Sequence, residues 1–240
     1  MTSSGATPWI LTVPTCNPIE VFANPEALGV AAAERIAVLA MQAQAERGVF
    51  RLALSGGNTP RRCYEHLRHG ALDWSRVEVY FSDERCLPRG DSGRNDTLAH
   101  EALLQHVPIP QAQVHEIPAE LGPTEAAAEY ALILDSARPL DLVLLGMGED
   151  GHTASLFPNH PALGSTALAV PVCNAPKPPA SRVSLGLGVL NAARHKLFLV
   201  TGVEKHEALQ RMKDGAQFPA ARVAGAAWYV DRAALSGEAG

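Results

Sequence analysis

The chain has 240 residues, 47% of them apolar and 19% charged, which is enough to bury one full core or at most two small ones. A formal charge of −5 offers no basic field for nucleic acid or anionic lipid, so neither partner is expected. No window approaches the roughly 18 consecutive apolar residues of a membrane span.

Strand-like and helix-like stretches alternate along the chain. Residues 25–47 have helical composition and stop at Gly48. Residues 49–54 read as a strand, followed by SGGNTP at 55–60. Thr59 before Pro60 predicts an N-cap and first helical position, with a helix to about residue 69. At 77–81, Val77, Val79 and Phe81 alternate with Glu78 and Tyr80 as a second strand, which ends at SDER, 82–85. Residues 95–106 and 123–136 look helical, and 141–145 read as a buried strand. Weaker strands are expected at 168–172 and 182–185, separated by NAPKPPAS at 174–181, whose prolines exclude a regular element. A strand at 196–200 leads through TGVEK, 201–205, into a helix reaching about residue 213. Residues 226–230 close the sheet, and 236–240 form a frayed tail.

This alternation predicts one α/β domain over residues 1–240: three layers, with a mainly parallel, doubly wound, Rossmann-like sheet covered by helices on both faces. The four cysteines (Cys16, Cys63, Cys86, Cys173) have neither CxxC nor metal-site spacing, as expected of reduced thiols. The first fifteen residues have no basic n-region and no long apolar stretch, so no signal peptide is expected and the default compartment is the cytoplasm.

Four polar clusters, at 55–60, 82–85, 146–152 and 201–205, each follow directly after a strand. In a parallel sheet they share one edge, outside the carboxyl ends of the strands, where ligands bind in such folds. The glycines of SGGNTP allow close backbone approach, and the N–H groups of the following helix carry partial positive charge. Together they suit a phosphate or sugar hydroxyls, although a tight turn would need the same glycines. No P-loop follows. In GMGEDGH, 146–152, a glycine turn delivers Asp150 and His152 together, a carboxylate placed to orient an imidazole for proton transfer. The GxG here lies mid-chain with its third glycine displaced, so a nicotinamide cofactor is not expected. The other eight of nine histidines are left as structural or exposed residues. Taken alone, Asp83, Arg85, Lys205 and Arg182 could be solvated charges. Lys205 at a helix start opposes the macrodipole, a conflict that a bound anion would remove, and Arg182 after the proline-rich loop could be a fixed phosphate clamp.

Taken together, SGGNTP, SDER, LGMGEDGHTASLFP, PKPPASR and TGVEK resemble, in order from about residue 50 to residue 205, the 6-phosphogluconolactonase family. That resemblance implies a fold related to glucosamine-6-phosphate deaminase, with no cofactor and no catalytic metal. It implies hydrolysis of 6-phosphoglucono-1,5-lactone in the oxidative pentose phosphate pathway. His152 would be the general base that activates water and Asp150 its orienting partner. Arg182 and Lys205 would hold the phosphate with the backbone N–H groups of Gly56 and Gly57. Ser55, Thr59, Asp83 and Arg85 would complete the substrate pocket. The only partner implied is a small phosphosugar lactone, and the oligomeric state stays open between monomer and homodimer.

The alternatives are the deaminase branch, an isomerase that releases ammonia, and a non-catalytic sugar-phosphate sensor. The deaminase branch typically carries a glutamate shortly after DGH, where residues 153–158 hold no acid and Phe157 stands instead. It also has Tyr where this chain has Arg85. Within the lactonase pattern, Asn58 replaces the more usual Ser, and Arg94-Asn95 stands where Ser-Asn is common. An intact Asp-Gly-His argues against the sensor.

Overall fold

A computed structural model of the chain describes residues 11–12 and 18–238. Expectations about the N-terminal leader, Cys16 and residues 239–240 therefore lie outside the described residues. Chain order runs β1 (Leu11–Thr12), β2 (Pro18–Phe22), α1 (Pro25–Arg47), β3 (Phe50–Leu54), α2 (Asn58–Leu67), β4 (Val77–Phe81), β5 (Asp83–Arg85), α3 (Asn95–Ala102). It continues with α4 (Pro123–Ala137), β6 (Leu142–Leu145), β7 (Ala169–Val172), β8 (Arg182–Leu185), α5 (Leu187–Ala192), β9 (His195–Val200), α6 (His206–Lys213), β10 (Ala227–Asp231) and α7 (Arg232–Ser236).

The main sheet has the order β1-β2-β10-β9-β6-β3-β4. It is parallel except where β1 meets β2. All four residues of β6 are buried, as a central strand with both faces covered requires. From β3 the chain steps outward to β4, then jumps back across β3 to β6, β9 and β10. The reversal leaves a crevice between the carboxyl ends of β3 and β6, a topological switch point. Helices α1 and α2 pack on each other, α1 lies against β3 and β10, and α4 lies against β7 and β8. One continuous hydrophobic cluster runs through the described residues.

Local chemistry explains the element ends. Asn24 Oδ1 accepts the Ala27 N–H at 2.9 Å, Pro25 opens α1, and Gly48 closes it at φ 79°. Two buried tyrosines fix the strand ends that lead into the crevice. The Tyr64 hydroxyl accepts the Ser55 N–H at 2.9 Å and donates to the Ser55 carbonyl at 2.7 Å. Tyr130 does the same at Phe81, at 2.8 and 3.1 Å.

Several expectations need correction. The SDER residues are not a strand-end loop. Asp83–Arg85 is itself a strand, pairing antiparallel with β8, which pairs antiparallel with β7. The weaker strand candidates thus form a separate three-stranded sheet, because the ladder partner of β8 is a short charged segment rather than another core strand. Thr59 is not the N-cap of α2; Gly57 is, at φ 112°, without a side-chain cap. The helix predicted to run to residue 106 stops at Ala102, and a 3-10 turn spans Leu104–His106. Lys205 ends a 3-10 turn, Val203–Lys205, before α6 starts at His206. Ser236 belongs to α7, capped by Asp231 at one end and by Gly237 at the other, rather than to a frayed tail.

Candidate active site

A cavity of about 480 Å³ opens at the crevice. It is lined by Ser55, Gly56, Gly57, Thr59, Asp83, Arg85, His152, Arg182 and Lys205, so nine of the ten sequence-predicted site residues converge on it. The tenth, Asp150, does not line it and sits behind His152, to which it is hydrogen-bonded. Residues that sequence reasoning did not single out also reach the cavity: Arg62, Asn95, Lys177, Thr201 and Glu204. Its charged lining comprises five cations against two carboxylates (Asp83 and Glu204). In a chain of formal charge −5, that concentration of positive charge marks an anion site.

The loop after β6 is wound tightly around the imidazole. Gly148 N–H donates to the His152 carbonyl at 2.9 Å, and Thr153 Oγ1 donates to the Gly146 carbonyl at 2.9 Å. A Cβ on Gly148 would lie 2.0 Å from His152 Nδ1, so only glycine lets the ring sit there. His152 Nδ1 and Asp150 Oδ1 are 2.5 Å apart, and the ring packs on Phe157 at 4.5 Å between centroids. Nε2 makes no protein hydrogen bond among the described residues. Burial would raise the Asp150 carboxyl, but the His152 hydrogen bond and charge, with a smaller pull from Lys177, hold it down at about 2. Asp150 is therefore a carboxylate at neutral pH, fixed as the acceptor of Nδ1–H.

On the other wall, Ser55 is buried and its Oγ has no hydrogen-bond partner among the described residues. Gly56 packs so closely that a Cβ would lie 1.8 Å from Asn95 Oδ1. Gly57 then caps α2, leaving the first N–H groups of the helix at the cavity. Thr59 Oγ1 and Thr201 Oγ1 are 2.6 Å apart, so this hydroxyl ties two strand-end loops together.

The small sheet carries Asp83, Arg85 and Arg182, and the loop after β9 carries Lys205. Asp83 Oδ2 accepts from Ser155 Oγ at 2.6 Å and Oδ1 from Asn95 Nδ2 at 3.1 Å. Arg85 donates from Nη1 to the Gly93 carbonyl at 2.7 Å, and its buried Nε has no partner among the described residues. Arg182 is only 5% exposed and has no carboxylate within salt-bridge reach among the described residues. Nε donates to the Pro179 carbonyl at 3.0 Å, and Nη2 donates to the carbonyls of Lys177 and Pro178 at 3.1 and 2.9 Å. Burial pushes its guanidinium down from the usual range, opposed mainly by Asp83. Lys205 pairs loosely with Glu149, at 3.8 Å. Arg94, by contrast, is fully buried and saturated by Asp96, Glu120 and the carbonyls of Leu87 and Ile117. It anchors the loop behind Asn95 and does not line the cavity.

Among the described residues, no three His, Cys, Asp or Glu side chains are grouped to hold a metal ion. Cys63, Cys86 and Cys173 are free thiols. No described helix is long and apolar enough to cross a membrane.

The 6-phosphogluconolactonase of Streptomyces coelicolor is 39% identical over 241 residues, covering 90% of this chain and 92% of its own. That of Homo sapiens is 37% identical over 244 residues, covering 93% and 95%. The crystal structure of 6-phosphogluconolactonase from Thermotoga maritima matches with a TM-score of 0.83 at 29% identity, over 89% of this chain and 99% of that one. A monomeric glucosamine-6-phosphate deaminase shares the fold, with a TM-score of 0.80 at 20% identity, over 92% and 99%. The family model for glucosamine-6-phosphate isomerases/6-phosphogluconolactonase matches residues 23–230, and the chain belongs to that family.

Proposed function

We propose that this chain, as a single α/β domain, hydrolyses 6-phospho-D-glucono-1,5-lactone to 6-phospho-D-gluconate in the oxidative pentose phosphate pathway. The observation that carries the reading is the His152–Asp150 pair on the wall of a cationic cavity. With Nδ1 committed to Asp150, Nε2 is the basic nitrogen available to a water molecule. His152 takes a proton from water as its oxygen attacks the lactone carbonyl. The ring C–O bond then breaks, and the imidazolium returns the proton to the departing ring oxygen. Water has been added and the enzyme is restored. A lactone is an activated ester, so no covalent nucleophile is needed, and a placed base contributes about 10²–10⁴-fold.

Arg182 and Lys205 hold the phosphate together with Ser55 Oγ and the N–H groups at Gly56 and Gly57. Asp83 and Arg85 line the sugar pocket, and Thr59 braces the loop carrying these amides against Thr201. The isomerase–deaminase alternative needs an acid after the DGH loop, and the ring of Phe157 fills that place against His152.

Adding the chain to freshly generated lactone should accelerate acid release well above the spontaneous rate. His152→Ala should lose about 10²–10⁴-fold in kcat while still binding 6-phosphogluconate. A fully active His152→Ala would remove the assigned base, and ammonia release from glucosamine 6-phosphate would favour the deaminase instead.

A further inference from the structure

Lys177 lines the cavity but has no part in the chemistry above. Its Nζ lies 4.0 Å from Asp150 Oδ1, the same oxygen that contacts His152 Nδ1 at 2.5 Å. One carboxylate oxygen therefore faces two cationic or potentially cationic groups. Among the described residues, Lys177 and His152 are the only basic groups within 4.0 Å of that carboxylate.

The placement is built into the fold. Lys177 belongs to the proline-rich loop, whose base is closed by the Ala175 N–H bonding to the Ala180 carbonyl at 2.9 Å. Arg182, buried beneath, collects the carbonyls of Lys177, Pro178 and Pro179 on its guanidinium. A buried side chain thus fixes the backbone from which the lysine stem reaches over Asp150. The other charges around the pair are accounted for. Glu149 is paired with Lys205 at 3.8 Å, and Arg182 lies beyond the Phe157 ring, 5.5 Å from its centroid. Arg62, Asp83, Arg85 and Glu204 lie elsewhere on the cavity lining.

The placement addresses a conflict in the chemistry. A carboxylate orients an imidazole but also favours the imidazolium, and a general base must be neutral when substrate arrives. A cation at the same oxygen offsets that pull without breaking the orienting hydrogen bond. We propose that Lys177 is a positioning residue acting through Asp150: its ammonium, 4.0 Å from the carboxylate oxygen that holds Nδ1, offsets the pull of that carboxylate on the imidazole proton. The inference rests on the reading of His152 as the base.

The test is a charge series at one position, Lys177→Arg, Lys177→Met and Lys177→Glu. Two readouts apply to the full-length chain: NMR titration of the His152 ring, identified by its loss in His152→Gln, and the acid limb of kcat/KM for the lactone. Lys177→Met should move both midpoints to higher pH by about half a unit, and Lys177→Glu by roughly twice that. Lys177→Arg should leave both in place, and the shifts should shrink at high salt. Unmoved midpoints in the Met and Glu variants overturn the proposal. So does a rise in KM with an unmoved acid limb, which assigns Lys177 to the substrate anion instead. A shifted ring titration in a chain that hydrolyses no lactone leaves this inference standing and removes the proposed function.

Discussion

The two sheets contribute to the cavity in different ways. The parallel sheet supplies it from loops. Gly56, Gly57 and the Gly146–His152 turn follow directly after β3 and β6, and what they present is backbone N–H groups and one imidazole. The small antiparallel sheet supplies it from strands: Asp83, Arg85 and Arg182 are ladder residues, with Arg85 opposite Arg182 in the register. A charged side chain in a largely buried ladder has little water around it and relies on specific partners. Ser155 and Asn95 hold Asp83, Gly93 holds Arg85, and the proline-rich loop holds Arg182. The first sheet thus depends on steric room, and the second on satisfied polar groups.

The comparison can be broken on each side. The largest effect should come from Gly148→Ala, whose Cβ would displace the His152 ring from 2.0 Å away. A shift of the base by that order costs about a hundredfold in kcat, while 6-phosphogluconate affinity should hold. Unchanged kcat would show that the turn has slack. Arg182→Met attacks the other sheet. Losing charge-assisted hydrogen bonds should raise KM about ten- to a hundredfold, with a smaller effect on kcat. Equal losses in both variants would mean that the two sheets do not divide the work in this way.

The smallest effect concerns stability. Glu84, between Asp83 and Arg85, is fully buried. It accepts the N–H groups of Arg85 at 2.7 Å and of Asn95 and Asp96 at 2.8 Å each, joining β5 to the start of α3. Burial, then the Asp96 carboxylate, pushes it up to about 8 from 4.5, against those donors. The fold therefore favours the protonated form, and the sign follows from linkage. Between pH 4.5 and 8 the unfolded chain ionises before the folded one, so this residue's contribution to stability falls as pH rises and levels off above 8. Asp150 has the opposite sign. Held at about 2, its contribution is present above 3.8 and lost as pH falls through 2. Urea melts of wild type and Glu84→Gln across pH 4.5–8.5 should show the slope flattened in the variant, and parallel slopes would contradict this assignment.

Much of the site was legible because its signals are local. The strand–glycine–helix pattern at β3 and α2, and Asp150 two residues before His152, need no distant partner to be recognised. Lys177, Asn95 and Glu84 carried no such signal. Lys177 lies in PKPPASR and Asn95 follows Arg94 in another segment that the resemblance covers, but nothing local to either residue assigns it a place in the cavity. The residues of β5 read as a polar cluster at a strand end, since three consecutive charged residues show no strand periodicity. Thr59 was a sound N-cap by sequence, but its hydroxyl is drawn instead to Thr201, which follows a distant strand.

The order of apolar runs and glycine turns is enough to give the alternating α/β fold and the shared edge of the loops that follow its strands. These follow from backbone sterics and from the side-chain periods of strands and helices. Three features come from the packing of the whole chain: β5, β7 and β8 form a second sheet, Arg182 gives donors to three carbonyls of one loop, and Lys177 Nζ comes to 4.0 Å from the Asp150 oxygen that holds His152. The second sheet and the Lys177 contact join groups far apart in sequence, and the Arg182 contacts need the proline-rich loop folded back over its own strand, so local patterning carries no record of them.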